Sequence, residues 1–339
     1  MNYLAAFLGY LVLNIRDVNS IISGDSYLSR NILSFNDNFN NSFQILVYHR
    51  ILPYDDPFAI GVVTVNNFKK QIEYLKKKFR IISLNKLVEE VKKGSIKPNS
   101  LCITFDDGYL DNFLYAFPIL KKYDIPATIF LTTDTIGTAN LLWFDKVIQI
   151  IKRTNIHQIN FLNHEFDLTD FNSKKKSWKN ILELLKKYPP DERDEYIEVL
   201  KDSCKIFEFD KVRIMLNWEE IKDMFKSGMN FGAHTKSHPI LTTIDIEKIK
   251  NEVLESRLII ENNLDCEITN FAYPNGGIKD FNTSCKVILK KYKFKSAVTT
   301  IGTRNSINQD LFELSRFLPW DKNNYAFIGR IIIEKYKNK

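Results

Sequence analysis

Cysteine is scarce in this 339-residue chain, and several catalytic signatures are missing. The four cysteines stand far apart with no CxxC pair, which argues against a zinc knuckle and a disulfide framework. The GxSxG elbow of serine esterases and the HExxH helix of zinc peptidases are both absent. The formal charge of +7 is spread over many lysines, and no basic stripe alternates with aromatic residues, so nucleic acid is not favoured as a partner. The chemistry of this chain therefore has to be sought in other motifs.

The N-terminal segment, residues 1–42, is predicted to lie outside the globular body. Its apolar run, MNYLAAFLGYLVLNIRD, has no basic start and no small-residue cleavage site, and it is too short for a standard transmembrane helix. A membrane-surface anchor and a packed first helix fit this run equally well. A connector rich in Asn, Ser and Asp follows it. Peripheral association with a membrane is therefore an expectation for this segment.

Apolar runs of strand length alternate with amphipathic helical patterns over residues 43–339. The predicted strands are QILVYHR (44–50), FRIISL (79–84), SLCITF (100–105), ATIFLT (127–132), MNFGAH (229–234), TNFAYP (269–274), FKSAVTT (294–300) and ELSRFL (313–318). Alternating strands and helices predict an α/β fold with a mainly parallel sheet, and seven or eight such units predict a closed barrel. The mostly helical and polar stretch 141–212 is predicted to be an insertion that covers the site.

Two adjacent carboxylates follow the predicted strand SLCITF. Asp106 and Asp107 stand at a carboxyl end, which is where such folds place their catalytic groups. Neighbouring side chains on an extended segment point to opposite sides, so these two cannot have the same task. One is suited to bind a metal while the other faces a substrate or water. The alternative is a helix cap, because Asp before Gly, with an amphipathic helix from Asp111, is common strand-to-helix chemistry.

A pair of histidines ends the predicted strand MNFGAH. His234 and His238 are separated by three residues, so both imidazoles can meet one divalent ion on a single turn, and Pro239 limits any helix there. Adding one carboxylate gives three protein ligands and an open position for water, which is typical of catalytic zinc. A third motif, TNFAYPNGG, is either an ordinary turn or a turn whose backbone N–H groups point outward as donors to an oxyanion.

Together and in this order, the motifs TFDDG, HTKSH and FAYPNG resemble those of the polysaccharide deacetylases of carbohydrate esterase family 4. YHRI, FDDGYLDNF, PATIFLTT with LLWFD, and AVTT before LSRF are similar to the subgroup that acts on envelope glycans. The resemblance covers about residues 44–320 and implies a distorted (β/α)7-type barrel that hydrolyses the N-acetyl group of a sugar. It also implies a divalent metal, usually zinc, held by Asp107, His234 and His238, with Asp106 as the base that takes a proton from water.

The sequence departs from the family pattern at two places. Ala272 stands where many members have an arginine that supports the catalytic aspartate, so this support is either absent or comes from elsewhere, with Arg316 as the candidate substitute. No histidine follows His238, so the usual late acid is missing. His49 is the candidate replacement, because a closed barrel places its first and last strands side by side and imidazole suits protonation of an amine near neutral pH. Members that begin with a similar strand look like circular permutations, which supports this role; a purely structural histidine is the alternative.

Asn275 occupies the position where the family commonly has tyrosine, and its backbone N–H is the candidate donor to the oxyanion.

The expected substrate is an acetylated polysaccharide or glycolipid of the cell envelope. This implies a location at the envelope or on a membrane, with the cytoplasm as the alternative. Tyr109, Trp143 and Trp320 are expected either to stack on sugars or to pack in the core. An O-acetyl esterase of the same fold and a catalytically inactive glycan-binding barrel are the alternative functions.

Overall fold

The computed structural model describes residues 42–59, 61–302, 305–321 and 323–336. The predicted N-terminal apolar run and its connector, up to residue 41, lie outside these described residues. Within the described residues, no helix is both long enough and apolar enough to cross a membrane.

The strands of the described chain are mostly short. They are β1 (Ser42–Tyr48), β2 (Arg50–Leu52), β3 (Val62–Thr64), β4 (Arg80–Ile81), β5 (Ser100–Phe105), β6 (Thr128–Leu131), β7 (Gln158–Phe161), β8 (His164–Asp167), β9 (Asn230–Ala233), β10 (Asn270–Ala272), β11 (Ser296–Val298) and β12 (Asn305–Ser306).

The helices lie between the strands as the alternating pattern predicts. They are α1 (Val65–Lys78), α2 (Leu84–Lys92), α3 (Phe117–Tyr123), α4 (Trp143–Arg153), α5 (Phe171–Leu185), α6 (Pro190–Ser203), α7 (Trp218–Lys226), α8 (Ile246–Leu264), α9 (Thr283–Lys291) and α10 (Asn324–Tyr336). A π-helical turn, Asn112–Ala116, leads into α3, and short 3-10 turns cover Thr133–Thr135 and Leu241–Thr243.

One curled sheet carries the fold. Its strand order is β11–β10–β9–β6–β5–β1–β12, and β4 pairs with the start of β5. The neighbours run parallel except for β12, which is antiparallel to β1. The main hydrophobic core contains residues from both the strands and the surrounding helices. The predicted α/β class with a parallel, barrel-type sheet is therefore confirmed.

Residues 314–317 close the gap between the two ends of this sheet. The N–H of Leu314 donates to the carbonyl of Ala297 in β11 at 3.0 Å, and the N–H of Phe317 donates to the carbonyl of Ile45 in β1 at 3.1 Å. The predicted strand ELSRFL is thus reduced to two isolated parallel bridges, but it takes the place of a last barrel strand. As a result, the first and last segments of the barrel lie side by side.

The predicted strand FRIISL was too long. Arg80–Ile81 pairs with β5, and the N–H of Ile82 still donates to the Leu101 carbonyl at 3.0 Å. The extended segment ends there, because Ser83 caps the next helix and its hydroxyl accepts a hydrogen bond from the N–H of Lys86 at 3.2 Å. Leu84 then begins α2 instead of ending a strand.

The insertion, for which two or three helices were expected, contains three helices and also a hairpin that the sequence did not reveal. α4, α5 and α6 pack with β7 and β8 around a separate core that includes Trp178, Ile181 and Ile197. The hairpin turns through Leu162 and Asn163, which both have positive φ, at 49° and 61°. Such a two-residue turn usually carries Asn-Gly or Asp-Gly, so the pair Leu162-Asn163 is not a recognisable hairpin signal.

Candidate active site

Residues at the carboxyl ends of the barrel strands and residues of the insertion line one cavity of about 250 Å³. The barrel residues of the lining include His49, Asp106, Asp107, His234, His238 and Asn275, and those of the insertion are Trp143, Phe144, Asp145, Ile148, Leu182 and Lys186. All the predicted site residues except Arg316 therefore lie on this cavity. Arg316 is fully buried and reaches the site through its contact with Asp106.

Asp107, His234 and His238 form a buried group that could hold a metal ion. Their ligand atoms lie within 4.8 Å of one another, and the described residues contain no other such group of three. Oδ1 of Asp107 is 3.5 Å from Nε2 of His234 and 3.4 Å from Nε2 of His238. The structure thus brings together the three residues that the resemblance implied as metal ligands.

The two imidazoles meet across a loop and not on a helical turn. Thr235 and His238 both have left-handed backbones, with φ of 65° and 63°, and the N–H of His238 donates to the Thr235 hydroxyl at 3.1 Å. Asp107 also has a positive φ, of 72°. A non-glycine residue with this backbone conformation is strained, and it persists only where the surrounding structure compensates the strain. Such residues are often found at functional sites.

The ring of His234 is oriented by the backbone of β10. Its Nδ1 lies 2.7 Å from the carbonyl oxygen of Ala272. A carbonyl oxygen can only accept a hydrogen bond, so Nδ1 carries the proton. Nε2 is then left facing Asp107. The ring of His238 packs edge-on against Phe144 of the insertion, with 5.3 Å between ring centroids.

Asp106 has a different partner from Asp107. Arg316 donates two hydrogen bonds to its carboxylate, at 2.6 and 2.7 Å, and both side chains are buried. Arg316 also donates to the Thr104 hydroxyl at 3.1 Å and to the Thr299 carbonyl at 3.0 Å. Arg316 thus makes the contact that a substitute for the arginine missing at Ala272 would need, and the Asp106 side chain does not cap a helix.

The charged groups of the site shift one another's pKa values. Burial opposes ionisation of Asp106, but the Arg316 guanidinium outweighs it and holds the pKa of this carboxyl below its usual range. Burial likewise opposes ionisation of Asp107, whereas hydrogen bonds from His234 and His238 bring its pKa well below normal. Both carboxylates are therefore ionised at neutral pH.

The two histidines shift in opposite directions. Burial lowers the pKa of His238. Burial also acts against the charged form of His234, but Asp106 and Asp107 together raise the pKa of this imidazole.

His49 follows β1 and lies on the cavity beside Trp320, with 6.2 Å between ring centroids. Its Nδ1 is buried, and among the described residues it has no hydrogen-bond partner. The histidines of the insertion, His157 and His164, are exposed as expected for a polar surface role.

Asn275 lies at the turn after β10. Its φ is 62°, and its backbone carbonyl accepts a hydrogen bond from the Thr300 hydroxyl at 2.7 Å. Among the described residues, no backbone carbonyl accepts from its N–H. The turn is thus held by the hydrogen bond from Thr300, while the Asn275 N–H has no backbone acceptor among the described residues.

A second buried network on the cavity wall was missed by sequence reasoning. The Tyr109 hydroxyl donates to Oδ2 of Asp145 at 2.9 Å, and the Arg50 guanidinium stacks 4.4 Å from the Tyr109 ring centroid. Arg50 also pairs with Asp111 at 2.8 Å. Burial raises the pKa of Asp145 to about 7. The motif LLWFD contains Asp145, but no spacing signal links it to Tyr109.

The three candidate aromatic residues have different surroundings. Tyr109 is 2% exposed and Trp143 is 6% exposed under the guanidinium of Arg193, so both mainly pack. Trp320 is 37% exposed and lies on the cavity.

We predict that Arg316→Met destabilises the fold by about 3–5 kcal/mol, because it leaves Asp106 buried without its cation. Urea denaturation of Arg316→Met, Asp106→Asn and the double variant measures this effect. The double variant should lose less free energy of unfolding than the two single variants lose together, since it leaves no unpaired charge. Strictly additive losses would show that the pair does not stabilise the barrel.

Comparison with known proteins agrees with the motifs. The family model for polysaccharide deacetylase matches residues 93–297, more than half of the chain. The poly-β-1,6-N-acetyl-D-glucosamine N-deacetylase of Staphylococcus epidermidis is 34% identical over 155 residues, which are 39% of this chain and 48% of that protein. The enzyme of the same name from Staphylococcus aureus is 34% identical over 122 residues, 34% of this chain and 41% of that protein. The chain spans about half the length of the curated relatives it matches.

Solved structures share the fold. The Streptococcus pyogenes deacetylase PplD, in complex with acetate, has a TM-score of 0.55 at 20% identity over 81% of this chain and 91% of that chain. IcaB from Ammonifex degensii has a TM-score of 0.56 at 17% identity over 87% of this chain and 97% of that chain. The motifs, the barrel and the family match together show that this chain belongs to the polysaccharide deacetylase family.

Proposed function

We propose that the chain is a metal-dependent hydrolase that removes N-acetyl groups from an acetylated amino-sugar polysaccharide or glycolipid of the cell envelope. The observation that carries this proposal is the buried group of Asp107, His234 and His238 beside Asp106 in one cavity. The names of the staphylococcal relatives favour a polymer of N-acetylglucosamine as the substrate. A catalytically inactive glycan-binding barrel is disfavoured, because it would not need both aspartates and both histidines.

The three ligand side chains fit a divalent metal, and we propose zinc. One carboxylate oxygen and two imidazole nitrogens form the donor set of a catalytic zinc site with an open position. The hydrogen bond from His234 to the Ala272 carbonyl is the outer support that such a ligand usually has. When bound, zinc would polarise the acetyl carbonyl and make water more acidic.

The other residues divide the proton transfers between them. Asp106 is ionised and fixed by Arg316, so it is suited to accept the proton of the attacking water. The Asn275 N–H is the proposed donor to the oxyanion that develops on the acetyl group, and Asn275 lines the cavity. His49 is the proposed acid that protonates the leaving amine, and its Nδ1 has no described partner that would occupy it.

The insertion is proposed to shape the path of the glycan to the site. It supplies six of the cavity residues, and Phe144 packs directly against His238. Trp320 on the barrel side is exposed enough to stack on a sugar face.

We predict that the purified chain binds zinc and releases acetate from a β-1,6-linked N-acetylglucosamine pentamer. His234→Ala and His238→Ala should lose the metal, since two ligands cannot hold zinc as tightly as three. Metal content measured by mass spectrometry and acetate release measured enzymatically test this together. Normal zinc content in both variants would contradict the assigned ligands. Release of acetate from O-acetylated sugars alone would favour the esterase.

We also predict that His49→Ala remains folded and binds zinc normally but loses deacetylation activity about a hundredfold, because the leaving amine then lacks its acid. Circular dichroism, metal analysis and the rate with the same pentamer measure the three properties. His157→Ala is the matched control, since this histidine is exposed on the insertion. Unchanged kinetics in His49→Ala would reduce His49 to a structural residue.

A further inference from the structure

We propose that Asp145 binds a hydroxyl group of the sugar ring whose acetyl group lies at Asp107, His234 and His238. By this contact, Asp145 would favour neutral amino sugars over sugars that carry a carboxylate. The inference rests on the proposed function and adds a residue of the insertion to substrate recognition.

Asp145 lies on the same cavity as the residues proposed to hold the metal. It lies in the first turn of α4 and lines the same cavity as Asp106, Asp107 and His238. The preceding residue, Phe144, packs against the ring of His238 with 5.3 Å between centroids. The start of α4 therefore packs against His238, one of the three proposed metal ligands. A sugar bound at these ligands would lie close to α4.

The hydrogen bonding of Asp145 is incomplete. The side chain is 6% exposed, and its Oδ2 accepts one hydrogen bond, from the Tyr109 hydroxyl at 2.9 Å. Among the described residues no cation forms an ion pair with it, because the nearby Arg50 pairs with Asp111 at 2.8 Å and stacks on the Tyr109 ring. A buried carboxyl group normally has more partners than this. Its Oδ1 is left for a ligand in the cavity.

The carboxyl group of Asp145 has no other assigned role at this site. Asp145 is not part of the group that could hold a metal, and Asp106 already supplies a carboxylate beside it. Its pKa is raised to about 7 by burial, so near neutral pH it can either donate or accept a hydrogen bond. A sugar hydroxyl does both, which makes it a matching partner.

The charges around the cavity support the choice of a neutral sugar. The nearby Arg50 pairs with Asp111 at 2.8 Å, although its charge also favours the ionised form of Asp145. A carboxylate substituent placed directly against Asp145 would meet like charge, and among the described residues no cation forms an ion pair with this carboxyl group. A hydroxyl at the same place meets a partner.

The test compares a sugar substrate with an acetyl ester that has no sugar. In the zinc-loaded full chain, Asp145→Ala should lower kcat/KM for the β-1,6-linked N-acetylglucosamine pentamer about 10- to 100-fold, as expected for loss of a hydrogen bond to a charged group. Hydrolysis of 4-nitrophenyl acetate and the zinc content should stay within about twofold of the wild type. Glu198→Gln, an exposed acid of α6, is the matched control and should change neither rate.

A second variant tests the charge selection without changing the shape. Asp145→Asn keeps the hydrogen bond from Tyr109, and it should narrow the wild-type preference for the neutral pentamer over an oligomer that contains N-acetylmuramic acid. Parallel losses on the pentamer and the ester in Asp145→Ala, or an unchanged preference in Asp145→Asn, would overturn the inference. A wild type that neither binds nor deacetylates the pentamer would defeat both the inference and the proposed function. An active wild type with an unaffected Asp145→Ala would defeat the inference alone.

Discussion

The ion pair between Arg316 and Asp106 connects the closure of the barrel to its catalytic edge. Arg316 belongs to the segment that bridges β1 and β11, and its guanidinium reaches the carboxylate that follows β5. The same side chain also bonds the Thr104 hydroxyl and the Thr299 carbonyl. A buried arginine is costly unless its donors are satisfied, so this one position requires β5, β11 and the closing segment to be correctly placed.

This constraint also explains why two adjacent aspartates can have different tasks. Asp106 is paired with a permanent cation, which favours its ionised form and fixes its orientation. Asp107 turns away through a left-handed backbone and faces the imidazoles of His234 and His238. The two carboxylates are neighbours in sequence, yet their electrostatic surroundings differ. That difference is what a separation into base and metal ligand requires.

The sequence predicted the groups that depend on local spacing at strand ends. Asp107, His234 and His238 are brought together because parallel strands present their carboxyl ends at one edge. The contact between Arg316 and Asp106 could be anticipated, because Ala272 leaves the arginine of the family pattern missing. The partnership of Asp145 with Tyr109 could not be, since a contact across 36 residues between a barrel loop and an insertion leaves no periodic pattern. The β7–β8 hairpin was missed for a similar reason, because its left-handed turn uses Leu and Asn instead of a glycine pair.

The central claim is that the two neighbouring aspartates are not equivalent. The most direct measurement is the zinc content and acetate release of Asp106→Asn beside Asp107→Asn, since each removes one charge and almost no volume. The account predicts that Asp106→Asn keeps full zinc occupancy and loses about a hundredfold or more in rate, whereas Asp107→Asn loses the zinc itself. Equal loss of zinc in both variants, or full activity in Asp106→Asn, would contradict it.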